Sequence, residues 1–143
     1  MAETQGGKRR IFIVEDEVLL ALDLEMIAEE VGFEVAGQAG RKADAIAGID
    51  ESRPDLCLVD VHLLDGPTGV DVARHAVENS NALVVFVTAN RTALPEGLVG
   101  AYATVAKPYT VSGMRDALAH LLDMLNSRVD STRKMPPELR AAG

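Results

Sequence analysis

Tryptophan is absent from the 143-residue chain, and only 3% of its residues are aromatic. Any core must therefore be aliphatic, built from Val, Leu, Ile and Ala. The single cysteine, Cys57, lies inside an apolar run and has no partner for an internal disulfide, so it reads as a small core residue in a reducing compartment. No apolar run approaches the roughly 18 residues of a membrane span. No secretory leader is visible either, because MAETQGGKRR is followed by only four apolar residues before a group of acids. These absences predict a cytoplasmic protein with no membrane association. Basic residues are scarce as well. Between Ile11 and Asn126 there are 19 acids against 7 Lys or Arg, a net −12, with the surplus of positive charge confined to the two ends. Such a body disfavours direct nucleic-acid binding, which needs a basic face against phosphates.

What is present is a hydrophobic fraction of 48%, enough for one domain with a real core. Short β-rich runs suited to buried parallel strands fall at 11–14, 56–59 and 83–87, with weaker ones at 33–36 and 102–105. Helical stripes lie between them. Leu20, Leu24, Ile27 and Val31 form one, stopped by Gly32, and Ala43, Ile46 and Ile49 form a second. Val70, Ala73 and Val77 form a third. The strongest runs from Val111 through Met114, Leu118, Leu121 and Leu122 to Leu125, with Thr110 placed as its N-cap. The slot at 90–100, NRTALPEGLVG, holds Pro95 and two glycines and predicts a short or irregular helix. Strand–helix alternation of this kind predicts an open, doubly wound α/β sheet, whose chemistry collects at the carboxyl ends of the strands. Residues 1–8 read as a flexible N-terminus, 9–126 as the domain, and 127–143 as a polar tail, flexible or packed on the last helix.

At the strand exits stand Glu15 and Asp16, then Asp60, then Thr88, then Lys107. Clustered carboxylates make a hard-oxygen site suited to Mg²⁺. An aspartate is a competent nucleophile toward phosphorus, and a lysine and a hydroxyl can bind phosphoryl oxygens. The chemistry this set suggests is phosphoryl transfer to a carboxylate. Glu17 reads as the helix start, where negative charge suits the dipole. His75 and His120 fall in helical patterns and read as surface residues.

The acidic pair in IFIVEDE, Asp60 in LVDVHLLDG, Thr88 with small Ala89 in VTAN, and Lys107-Pro108 in AKPY together resemble the receiver domain of two-component response regulators, over about Lys8 to Leu125. The resemblance implies a five-stranded parallel sheet in the flavodoxin-like order 2-1-3-4-5, with helices on both faces. It implies Asp60 as phosphoacceptor, served by a histidine kinase or phosphotransferase. It implies Mg²⁺ on Asp16 and Asp60, with Glu15 acting through water and the backbone carbonyl of His62 as a further ligand. Thr88 would be the switch residue and Lys107 the phosphoryl contact. The implied protein is a stand-alone regulator, a relay or phosphate sink. It would signal through a downstream protein partner or a homodimer made by the fourth and fifth strand–helix region, and would catalyse only its own phosphoryl transfer and loss.

The pattern is departed from in places. Thr104 stands where many receivers carry an aromatic, and strand alternation offers Tyr102 as its substitute. Asp65-Gly66 looks like a small insertion after Asp60, and His62 places an imidazole at the rim, facing Asn90, where it would tune phosphoryl lifetime. VFVTAN followed by LPEG is similar to a subgroup of stand-alone receivers from alphaproteobacteria. Two alternatives accompany this reading. A pseudo-receiver would bind partners without phosphorylation. An aspartate-nucleophile phosphatase would carry Asp-x-Asp after the first strand, where this chain has Glu15-Asp16-Glu17.

Overall fold

A computed structural model describes residues 7–126 and 136–141. Strands β1 (Arg10–Val14), β2 (Glu34–Ala39), β3 (Leu56–Asp60), β4 (Leu83–Thr88) and β5 (Ala103–Ala106) alternate with helices α1 (Val18–Val31), α2 (Lys42–Ser52), α3 (Gly69–Asn79) and α4 (Val111–Asn126). The first five strands are parallel in the order β2-β1-β3-β4-β5, the expected doubly wound arrangement. A short sixth strand, β6 (Leu139–Ala141), runs antiparallel beside β5, so the sheet has six strands rather than the expected five. The fourth crossover is not an α-helix but two 3₁₀ turns, Arg91–Ala93 and Glu96–Gly100, as Pro95 and the glycines foretold.

Strand alternation sends successive side chains to opposite faces and so makes two cores. Ile11, Ile13, Leu56, Leu58, Val85, Val87, Ala103 and Val105 face α1 and α4. Phe12, Val14, Cys57, Val59, Val84 and Phe86 face α2, α3 and the 3₁₀ turns. Cys57 is fully buried there, and burial alone pushes its thiol up to about 12. It stays a protonated core residue.

The helix stripes are partly rotated from expectation. Ala45 and Ile49 are the buried positions of α2, while Ala43 is exposed. On α4, Val111 is 54% exposed, and the buried face begins at Gly113 and Met114. His120 is buried among that face rather than on the surface, because it completes the i, i+4, i+7 row of Gly113 and Ala117. His75 stays near the surface, with Nε2 at 2.8 Å from Asp50 Oδ1. Thr110 caps α4: its hydroxyl oxygen accepts the Gly113 N–H at 2.9 Å, the N-cap to N3 bond.

The chain's two domain ends meet. Arg9 donates to the Leu125 carbonyl at 2.6 Å and to Asn126 Oδ1 at 3.0 Å, putting a cation on the carbonyl end of α4. Among the described residues no helix is long and apolar enough to cross a membrane. Residues 1–6, 127–135 and 142–143, within the stretches read as terminus and tail, lie outside the described residues.

Candidate functional site: an acidic cluster bridged by a lysine

Parallel pairing of β1 with β3 and β3 with β4 aligns their carboxyl ends, and the side chains there converge. Glu15, Asp16 and Asp60 each offer a carboxylate oxygen within 4.8 Å of the others. Glu15 and Asp60 are buried, with 4% and 8% of their surface exposed, so two of the three charges have lost most of their water. A buried carboxylate without compensation is strongly disfavoured. Compensation arrives from the far end of the domain. Lys107 Nζ donates to Asp60 Oδ2 at 2.8 Å and to Glu15 Oε1 at 3.1 Å. The remaining oxygens take backbone donors: the Glu17 N–H reaches Glu15 Oε2 at 3.0 Å, and the His62 N–H reaches Asp60 Oδ1 at 3.2 Å.

One ammonium does not balance three carboxylates. Burial raises the Glu15 pKa, and the nearby Asp60 charge adds to it against the Glu17 and Lys107 hydrogen bonds. Burial would lower Lys107, yet its bonds to Asp60 and Glu15 and their charges outweigh that, and its pKa is raised. The Glu15 direction marks first the loss of water, and the Lys107 direction marks the negative charge that surrounds it. All the donors are hard carboxylate oxygens, which fits a divalent cation of the Mg²⁺ class and no soft metal. This acidic triad is typical of a receiver Mg²⁺ site.

Thr88 ends β4 one residue past Val87, which pairs with Asp60. Its hydroxyl oxygen accepts the Asn90 N–H at 3.1 Å, and its carbonyl accepts the Lys107 N–H at 2.8 Å. Thr88 and Lys107 are therefore tied through the backbone. The Lys107-Pro108 peptide bond is cis. His62 is exposed, and the Asn90 side-chain oxygen accepts from the Thr92 hydroxyl at 2.6 Å.

Three features escaped the sequence reading. A β-carbon at Gly69 would lie 1.9 Å from the Asp60 carbonyl oxygen, so only glycine lets α3 start against the end of β3. The Asp65-Gly66 insertion has a structural role. Leu63 and Gly66 close a tight bridge, and Asp65 Oδ2 accepts the Lys42 N–H at 3.2 Å, capping α2 from another loop. Its pKa is lowered, first by the Thr68 hydroxyl bond. Finally, Tyr102 does not stand beside Thr104. It precedes β5 and packs with the face that holds Ala103 and Val105, while Thr104, opposite Phe86, accepts from Arg91 Nε at 3.2 Å. Alternation fails there because the strand starts one residue after Tyr102. Tyr102 therefore does not share the face of Thr104.

Comparison with known proteins agrees with this geometry. Residues 11–119 match the family described as the response regulator receiver domain. The chain is 40% identical over 80 residues to the phyllosphere-induced regulator PhyR of Methylorubrum extorquens, covering 55% of this chain and 30% of that protein. It is 33% identical over 113 residues to the transcriptional regulatory protein PdtaR of Mycobacterium tuberculosis, covering 77% and 55%. The chain thus spans about a third to a half of the length of these curated relatives. Among solved structures, the receiver domain of Erythrobacter litoralis PhyR superposes with a TM-score of 0.74 at 28% identity, covering 87% of this chain and 98% of that one. The response regulator PhyR from Brucella abortus gives 0.68 at 31% identity, covering 81% and 47%. Strand order, strand-end acids and relatives agree: the chain belongs to the receiver domain family of two-component response regulators.

Proposed function

We propose that the chain accepts a phosphoryl group on Asp60 from a histidine kinase or phosphotransferase, in a Mg²⁺-dependent manner, and passes the signal to a protein partner. The observation that carries this reading is Lys107 Nζ lying between Asp60 and Glu15 at the mouth of the acidic cluster. A cation there meets the charge that a phosphoryl group brings. The family is not one of conventional enzymes, and the chemistry falls on the protein's own side chain.

In the proposed step an Asp60 carboxylate oxygen attacks phosphorus on a phosphohistidine donor. The P–O bond forms, the P–N bond breaks, and the imidazole leaves with the electron pair and takes a proton. The His62 N–H on Asp60 Oδ1 holds the carboxylate in a fixed orientation. Lys107 then bonds the phosphoryl oxygens in place of the carboxylate. Thr88 accepts the Asn90 N–H with its oxygen, so its own hydroxyl proton is available for the phosphoryl group. Asp16, Asp60 and the His62 carbonyl, with Glu15 through water, would hold Mg²⁺, which would supply the remaining neutralisation of charge. A surface for the donor is offered by Val18, Leu19, Leu22 and Met26, exposed apolar side chains on α1, and by exposed Leu64, which with Asp16 lies against Gly40.

Incubation with a small phosphodonor and Mg²⁺, followed by intact-mass measurement, tests the reading. Wild type should gain one phosphoryl group and Asp60→Asn none. No gain in wild type would favour partner binding without phosphorylation.

A further inference from the structure

The outer edge of β5 is covered by the chain's own C-terminal residues, and this contact is built rather than incidental. Ala103, Thr104 and Val105 pair with Ala141, Arg140 and Leu139. Leu139 is only 3% exposed and belongs to the core cluster beneath α4, with Ala103, Val105, Met114 and Leu118. Just before it, the Glu138 side chain lies across the first turn of α4. A β-carbon at Gly113 would come within 2.7 Å of Glu138 Cγ, so the helix has glycine where the strap crosses it.

Against these anchors stands one defect. Glu138 Oε1 is buried and has no hydrogen-bond partner among the described residues. A buried, unpaired carboxylate oxygen opposes the contact that Leu139 favours, although the positive end of α4 offsets part of that penalty. The strap is thus held by one aliphatic side chain and three residues of strand pairing, against a local penalty. It is poised to be displaced.

β5 also connects this strap to the acidic cluster. Val105, opposite Leu139, lies two residues before Lys107, and Ala106 pairs with Thr88 across the other edge of the same strand. Thr88 and Lys107 are the groups that respond to a phosphoryl group at Asp60 in the function proposed above, on which this inference rests. A shift at that end of β5 therefore reaches β6 through a single strand.

We propose that the outer edge of β5 is a strand-binding surface, held in the resting protein by residues 138–141, and that phosphorylation at Asp60 frees it for an extended segment of the output partner. The tail shows what the surface accepts. Its backbone pairs antiparallel with β5, an aliphatic residue takes the Leu139 site opposite Val105, and an acid precedes it over the start of α4. Strand addition of this kind takes affinity from main-chain hydrogen bonds and selectivity from alternate side chains. The tail keeps the edge closed at rest because a tethered strand acts at an effective concentration on the order of millimolar, which a free segment cannot match until the pairing loosens.

Hydrogen–deuterium exchange on the full chain with Mg²⁺, with and without beryllofluoride as the phosphoryl mimic, tests the coupling. Exchange at 139–141 should rise at least tenfold while the segments bearing Asp60 and Thr88 become protected. Protection at the site with unchanged exchange at 139–141 overturns this inference and leaves the receiver function standing. No protection at the site removes the receiver function and the coupling together. A labelled peptide, KMPPELRAAG, supplies the second measurement. It should bind the beryllofluoride form at least tenfold more tightly than the resting form, and lose that binding when Leu139→Ala is made in the peptide. Equal affinity for the two forms overturns the proposal.

Discussion

From β1 to α3, regular helices make each crossover, and β1 and β3 are paired along both edges. From Thr88 onward the crossover shrinks to two 3₁₀ turns, and the last parallel strand borrows its outer neighbour from residues 139–141. The first region holds the carboxylates and the interlocked loops around them, with Asp65 capping α2 and Gly69 seating α3 against Asp60. The second contributes Thr88 and Lys107, and contains Leu98 and Val99 at φ 52° and 49°, a left-handed conformation that a β-branched residue such as Val99 rarely adopts. The contrast teaches a division of labour. The carboxylates sit among regular, interlocked elements, while Thr88 and Lys107 flank an irregular crossover and a strand whose outer neighbour is only three residues long.

The largest expected effect comes from cutting the link between the two regions. Lys107→Ala leaves Glu15 and Asp60 buried without their ammonium and should cost about 3 kcal/mol at neutral pH without metal. Urea denaturation measures it, and added Mg²⁺ should return part of the loss; an unchanged midpoint would mean the regions are not tied there. Next comes Leu139→Ala, which empties a core site at the borrowed edge. Its expected loss is about 2 kcal/mol, at the lower end for a buried leucine because the short strap can retreat instead of leaving a cavity. A loss as large as that of Lys107→Ala would erase the proposed difference in rigidity.

Glu15→Gln probes the acidic side by pH. The Glu15 pKa is raised by burial, so the folded protein holds that proton to a higher pH than the unfolded chain. Its contribution is full below the ordinary value of 4.5 and is lost as pH rises through the raised folded value. Metal-free Glu15→Gln should therefore melt roughly 2–4 °C above wild type at pH 7, with the difference vanishing in acid. The smallest effect is Arg53→Gly. Arg53 is the one left-handed non-glycine residue among the described residues of the regular region, at the end of α2 with φ 50°. Relief of that conformation less the added chain entropy should leave a gain of roughly 0.5 kcal/mol in urea.

The same division separates what the sequence made legible from what it did not. The apolar runs around Ile11, Leu56 and Leu83 are short and β-rich, which suits buried parallel strands, and their exits placed Glu15, Asp60 and Thr88 by topology. Pro95 and Gly97 announced a broken crossover. Leu139 gave no signal, because three residues after Pro136-Pro137 become a strand only if an open edge is waiting for them, and that edge is a tertiary fact. Tyr102 misled because alternation holds only inside a strand, and β5 starts at Ala103. Asp65 looked like an insertion in its own loop, while its hydrogen bond goes to the start of α2, a partner 23 residues away. His120 was misjudged for a similar reason, since a histidine in a helical stripe looks the same whether its face meets solvent or sheet.

The absence of tryptophan has an optical consequence. Under ultraviolet excitation the emission of this protein comes from two rings, Tyr102 and Tyr109. Tyr109 sits two residues beyond Lys107 with a buried phenol oxygen that has no hydrogen-bond partner among the described residues. Burial raises its pKa first, and the negative charge of Glu15 adds to that rise. Titrating a divalent cation should therefore change tyrosine emission if the cation settles among the carboxylates, and Tyr109→Phe supplies the blank.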